Sequence, residues 1–189
     1  MLTRKHILML AFALVVMGTS LAQTYTAGDQ ITLQVNSFSL VATNNAPINL
    51  SLGTTIAGSP VGVVTNSDMY VRVSSIVPGG THRELSARIS NGTVPAGTQI
   101  TLVSAPCTTT NSGGALGTVI TTPIVLDAID KMLVDNIGTC YTGTGYNDGY
   151  RLTYSWQPIP TLTDYSMIKS TVSPVAITVV ITITEHNSN

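Results

Sequence analysis

The chain has 189 residues, 43% of them hydrophobic and only 9% charged, with a formal net charge of −1. Its eight lysines and arginines form no cluster, so it lacks the counterion-displacing patch that nucleic-acid binding requires. Charge this sparse predicts a neutral surface rich in hydroxyls and amides.

The chain opens MLTRKHILMLAFALVVMGTSLA, with Arg4 and Lys5 ahead of an apolar run over residues 7 to 17 and small residues at Ser20 and Ala22. That order predicts a secretory signal peptide over residues 1 to 22, cleaved before Gln23. The alternative is a single-span anchor, for which the apolar run is short. No cysteine follows the run, which speaks against a lipoprotein. Removing 22 residues from 189 leaves a mature chain of 167, a length that one hydrophobic core can stabilise, so residues 23 to 189 read as a single exported domain. Losing Arg4 and Lys5 leaves six basic against nine acidic side chains, a net charge of −3. The expected location is extracellular, at the cell surface or in the periplasm, with no membrane span in the mature chain.

Period-two patterning dominates from there on. Ile31, Leu33 and Val35 alternate with polar residues and predict a half-buried strand; the apolar phase then shifts to Phe38 and Leu40, implying a bulge or a change of partner near Asn36 and Ser37. Leu85, Ala87 and Ile89 predict a second strand, and Tyr150, Leu152, Tyr154 and Trp156 a third whose face centres on Trp156. The last run sets Ile177, Val179, Ile181 and Ile183 against Thr178, Val180, Thr182 and Thr184, a β-branched C-terminal strand. Turn signals punctuate the chain at Gly58-Ser59-Pro60, Asn66-Ser67-Asp68, Pro78-Gly79-Gly80, Asn91-Gly92, Pro95-Ala96-Gly97 and Asn111-Ser112-Gly113-Gly114, a spacing that suits a sandwich or barrel. Residues 124 to 137 (IVLDAIDKMLVDNI) admit a helix through Leu126, Ile129, Leu133 and Ile137; two short strands are the preferred reading. The expected fold is all-β, an antiparallel sandwich or barrel.

Cys107 and Cys140 are the only cysteines. An even pair in an exported chain favours a disulfide over metal, because two thiols do not complete a zinc site. Cys140 opens the stretch CYTGTGYNDGYRLTYSW. Its Gly143-Thr144-Gly145 resembles a phosphate loop only in part, since the glycines precede a strand rather than open a helix. Asn147 and Asp148 offer oxygens for calcium, but the full acidic loop with its distal Glu is missing. Shaping a hairpin is the simpler role for these glycines. The functional alternative is a ligand-binding strip of Tyr141, Tyr146 and Tyr150, with Asn147 and Asp148, on which sugars stack.

Catalysis is not expected. After cleavage only His82 and His186 remain, and His82 follows the Pro-Gly-Gly turn as a surface histidine entering a strand. There is no Gly-x-Ser-x-Gly elbow and no His-Glu-x-x-His. A carboxylate pair drawn from Glu84, Asp127, Asp130, Asp135, Asp148 and Asp164 has no spacing that brings two together. No cofactor and no metal are expected.

Three segments, residues 76 to 106 (IVPGGTHRELSARISNGTVPAGTQITLVSAP), 138 to 156, and 173 to 184 (SPVAITVVITIT), resemble secreted bacterial β-sandwich proteins that include pilin-like and coat-protein-like domains. The resemblance implies an immunoglobulin-like sandwich at the cell surface, in a fimbria, an extracellular matrix or an adhesin, with no catalytic residues. Where such proteins assemble by donor-strand exchange they use a detachable terminal strand; residues 30 to 41 would be that segment, and the phase shift at Asn36 and Ser37 departs from a plain donor strand. The expected function is therefore a non-enzymatic structural or adhesive component of the cell envelope or matrix, with self-assembly or other surface proteins as partners. A secreted carbohydrate-binding module is the alternative, with a glycan as partner.

Overall fold

The computed structural model describes Gly28 and residues 30 to 187, so the expected signal peptide lies outside the described residues. The compact β unit begins at Asn36.

The strands are β1 (Phe38–Thr43), β2 (Val64–Ile76), β3 (Thr81–Asn91), β4 (Thr98–Ala105), β5 (Gly113–Gly114), β6 (Thr118–Val119), β7 (Ile124–Val125), β8 (Lys131–Ile137), β9 (Cys140–Tyr141), β10 (Tyr150–Pro158) and β11 (Thr178–Asn187). One 3-10 turn, Tyr165–Met167, is the only helical element among the described residues. The strands form two antiparallel sheets. The larger has seven strands in the order β5-β9-β2-β10-β4-β7, with β1 added along β2; the smaller runs β11-β3-β8-β6. Val71, Val73, Leu102, Tyr150 and Leu152 from the first sheet and Leu85, Ala87, Leu133, Val134 and Ile137 from the second form one buried cluster. β2 and β10 bury alternate residues, as expected of strands in a sandwich, whereas β3, β4 and β8 bury neighbouring residues on both faces at positions 85 to 87, 100 to 102 and 133 to 134.

The pattern of residues 124 to 137 resolves into two strands, β7 and β8. Its helical spacing was fortuitous: Leu126 and Leu133 are buried, while Ile129 projects into solvent. The face of β10 is as expected, except that Trp156 does not centre the core; it sits half-buried near one end, while Tyr150 and Leu152 are fully buried. Asn66, Ser67 and Asp68 do not form a turn. They lie inside β2, where Asp68 N–H donates to Asn66 Oδ1 at 3.0 Å and the register with β10 slips between Leu152 and Tyr154. Turn-forming side chains here produce a bulge, because the β10 neighbour supplies the ladder on either side.

The clearest departure is at the start. Ile31, Leu33 and Val35 form no strand and are 78%, 87% and 78% exposed. The phase shift at Asn36 and Ser37 marks where β1 begins. Within β1, Ser39, Val41 and Thr43 turn inward, and Phe38 and Leu40 face solvent. Arg83 fixes this point. Its buried guanidinium donates to Phe38 O, to Ser75 Oγ at 3.2 Å and to Ser37 Oγ at 3.0 Å, and Glu185 Oε2 lies 3.6 Å away, so one side chain on β3 ties together β1, β2 and β11. Periodicity predicts none of this, because arginine on an inward-facing strand position breaks the apolar pattern.

Candidate functional site

Cys140 and Tyr141 form β9, a two-residue strand held between Ser74 and Ser75 of β2 and Gly113 and Gly114 of β5. Thr142 is fully buried and closes the ladder: its N–H donates to Val73 O at 3.0 Å, and its hydroxyl oxygen accepts the Val73 N–H at 2.8 Å. The chain then turns away through Gly143, at φ +92°, and returns through Gly149, at φ +104°. Both positions demand glycine twice over. A Cβ at Gly149 would stand 2.1 Å from Val71 O, and one at Gly143 would stand 2.3 Å from Asp148 Oδ2.

Asp148 is buried, and its Oδ2 accepts the Gly145 N–H at 2.7 Å and the Asn111 amide at 3.4 Å. It is the latch of the loop. Asn147 is exposed at the tip. Arg72 clamps the far side, donating to Thr144 O at 2.8 Å and Thr43 O at 3.2 Å. Among the described residues no group of three His, Cys, Asp or Glu side chains is placed to hold a metal.

The three tyrosines proposed as a stacking strip part company. Tyr150 is 1% exposed, its hydroxyl donates to Leu116 O, and burial pushes its pKa well up, with the two cysteines adding to the effect. Its ring is core and meets no ligand. Tyr141 and Tyr146 are 56% and 61% exposed. Tyr141 also lies against the backbone of Gly113, where any side chain would collide with its ring.

Cys107 and Cys140 are both free thiols in the structure, so the expected bridge is not formed there. They are nevertheless neighbours. Cys107 Sγ lies 3.8 Å from Thr142 O, two residues beyond Cys140, and the Cys140 thiol is held above its ordinary pKa first by burial and then by the proximity of Cys107. The chain matches no family model, and neither a curated protein nor a solved structure is similar to it.

His82 is placed on β3 directly opposite His186 on β11, their rings stacked with centroids 5.0 Å apart. Asp135 stands 4.0 Å from His82, and Glu84 stands 3.7 Å from His186. The cross-strand stack was not visible in the sequence, since it depends on the register of β3 with β11. The other carboxylates serve locally. Asp127 pairs with Lys131 at 3.0 Å and Asp130 with Arg88 at 3.6 Å, while Asp164 caps the 3-10 turn by accepting the Ser166 N–H at 2.9 Å.

The feature that sequence patterning underrates is the edge of the smaller sheet. β11 pairs with β3 on one side, and no strand lies on its other side among the described residues. It runs for ten residues, TVVITITEHN, without a proline or lysine, and its only irregularity is a register shift at Thr178. Its inward residues Val179, Ile181 and Ile183, with Ile177 just before the strand, pack on the core yet remain only partly buried. Long, regular, β-branched edges are normally blunted by charge, proline or a covering segment; here the charge is confined to Glu185 near the strand's end, and residues 178 to 184 carry none.

Proposed function

We propose that this protein is a non-enzymatic exported structural or adhesive component of the cell envelope or extracellular matrix, a fimbrial or coat-like subunit that assembles through its sheet edge. The open edge of β11 carries the reading. A ten-residue edge strand paired with β3 on one side only, with inward side chains that are only partly covered, forms a template for an added strand. The added strand is the segment around Ile31, Leu33 and Val35 of another copy, whose alternating apolar side chains are exposed. Strand addition would bury all three on the core side. At roughly 25 cal/mol per Å² of apolar surface, each would contribute about 1.5 to 3 kcal/mol, before the cost of ordering the segment.

This differs from the expectation in one respect. In this proposal residues 38 to 43 stay in place, paired with β2 over six positions and tied to Arg83 through the Phe38 carbonyl, and the donor is confined to residues before them. The finer attributes belong to the same proposal: export by the N-terminal leader, immunoglobulin-like connectivity of the two sheets, and a disulfide between Cys107 and Cys140 formed in an oxidising compartment.

Replacing Leu33 by Asp tests the assembly. It lies outside the compact unit, so the fold should survive with unchanged circular dichroism. The expected result is loss of oligomers in light scattering. Oligomers that persist at wild-type concentration dependence would refute the arm-to-edge contact.

A further inference from the structure

At one end of the molecule two long irregular segments, residues 44 to 63 and 159 to 177, converge on a cavity of about 370 Å³ lined by Leu52, Val61, Pro95, Thr98, Trp156 and the run from Ile168 to Thr171. Connections this long, with almost no regular structure, are uncommon in compact domains and are usually either functional loops or linkers. These two are held in place. Val61 N–H donates to the Tyr165 hydroxyl at 2.8 Å, which ties the first segment to the second. Ile168 N–H donates to Tyr165 O at 3.1 Å, and Asp164 caps the turn. Gly97, at φ +75°, lets Ile168 approach so closely that a Cβ there would meet its side chain at 2.9 Å. The walls are therefore built, and the volume falls within the roughly 300 to 1,000 Å³ of small-ligand sites.

The lining says what would fit. Trp156 is the only tryptophan of the chain, and its Nε1–H is already spent on Thr98 Oγ1 at 2.9 Å. Thr98 in turn donates to Pro95 O at 2.6 Å, which fixes the indole's orientation. What Trp156 offers a ligand is its ring, an apolar surface suited to the C–H face of a sugar. Ser170 and Thr171 bring two exposed hydroxyls, and Lys169 brings a positive charge that no carboxylate pairs with among the described residues. No acidic side chain lines the cavity. An aromatic ring, hydroxyls and one uncompensated cation complement a sugar that carries a carboxylate.

We propose that this cavity is a binding site for a short acidic saccharide of the uronic-acid class, its ring packed on Trp156 and its carboxylate on Lys169. This site is separate from the Tyr141 and Tyr146 loop and from the β11 edge, so it stands or falls independently of assembly.

Because Trp156 is the sole tryptophan, its fluorescence reports on this cavity alone. The experiment titrates the exported protein with di- and trisaccharides of glucuronic and galacturonic acid, and in parallel with the matching neutral sugars. A saturable emission change with the acidic sugars is expected, with affinity falling about tenfold for the neutral series and for Lys169→Met, the loss of one charge-assisted contact. Lys169 is exposed, so that variant should fold normally. Backbone chemical-shift changes at Thr98, Ile168 and Ser170 on saturation would place the ligand. Absence of a saturable response at millimolar acidic sugar overturns the proposal. Equal binding of acidic and neutral sugars, unaffected by Lys169→Met, overturns the assigned ligand class.

Discussion

Joining Cys107 to Cys140 should be the largest single covalent contribution to stability in this chain. The bridge would close a loop of about 33 residues that contains β5 through β8, and the loop-entropy relation gives about 4 kcal/mol at 25 °C for that length. Cys107 Sγ lies 3.8 Å from Thr142 O, two residues beyond Cys140, and any native strain in the bridge would subtract from this figure. For a domain of this size, about 4 kcal/mol corresponds to roughly 8 to 16 °C in Tm. Burial raises the Cys140 pKa, so little thiolate is present at neutral pH and air oxidation should be slow without a catalyst. The assay has two parts: thiol titration under denaturing conditions of protein produced in an oxidising compartment, then urea melts with and without reductant. Fewer than one free thiol per chain, and a reductant-dependent drop of about 4 kcal/mol, are expected. Two titratable thiols after export, or superimposable melts, would refute the reasoning.

Other consequences are as specific. Arg83→Met leaves the Phe38 carbonyl and two serine hydroxyls without their donor, and should cost about 2 to 4 kcal/mol in urea unfolding; Lys at this position should rescue little, because it cannot reproduce the forked contacts. Gly149→Ala should cost more than about 3 kcal/mol, since its Cβ would strike Val71 O at a positive φ, whereas Gly58→Ala, with open space around it, should cost only about 1 kcal/mol. Burial holds the Tyr154 pKa up to about 12 and raises that of Tyr150. Folded rings then keep protons that unfolded tyrosines lose near pH 10, so stability present below pH 10 should fall as pH rises towards 12. Absorbance at 295 nm followed with near-UV circular dichroism checks this; ionisation of both rings near pH 10 with the fold intact would contradict it.

The sequence was most legible where one face of a strand is wholly buried. Leu85 and Ala87 on β3, and Tyr150, Leu152 and Tyr154 on β10, announce themselves because alternation and burial coincide. It misled where alternation lacks a partner: Ile31, Leu33 and Val35 have the pattern of a strand and lie exposed, since pattern records what a segment is able to bury and not what is beside it. Asn66-Ser67-Asp68 shows the converse, local turn chemistry overridden by pairing with β10. Of the loop after Cys140, its glycine-shaped turning was readable, but the expected hairpin is not formed: β9 and β10 pair with opposite sides of β2 and not with each other. The inward turn of Tyr150 and Asp148 was not, because Tyr146 and Tyr150 look alike until the β10 register assigns a face to one of them. Arg83, the His82–His186 stack and the Trp156 cavity all depend on contacts between segments far apart in the chain, for which a single sequence carries no periodic signal.

Hydrogen exchange along β11, followed as a function of protein concentration, tests the central claim most directly. Alternate amides from Thr178 to Asn187 face β3, and the rest face the open edge. If copies assemble by adding a strand there, the open-edge amides should become protected as oligomers form, and should lose that protection in the Leu33→Asp variant. Oligomers that leave β11 exchange unchanged, or a monomer that persists at every concentration, would contradict the account.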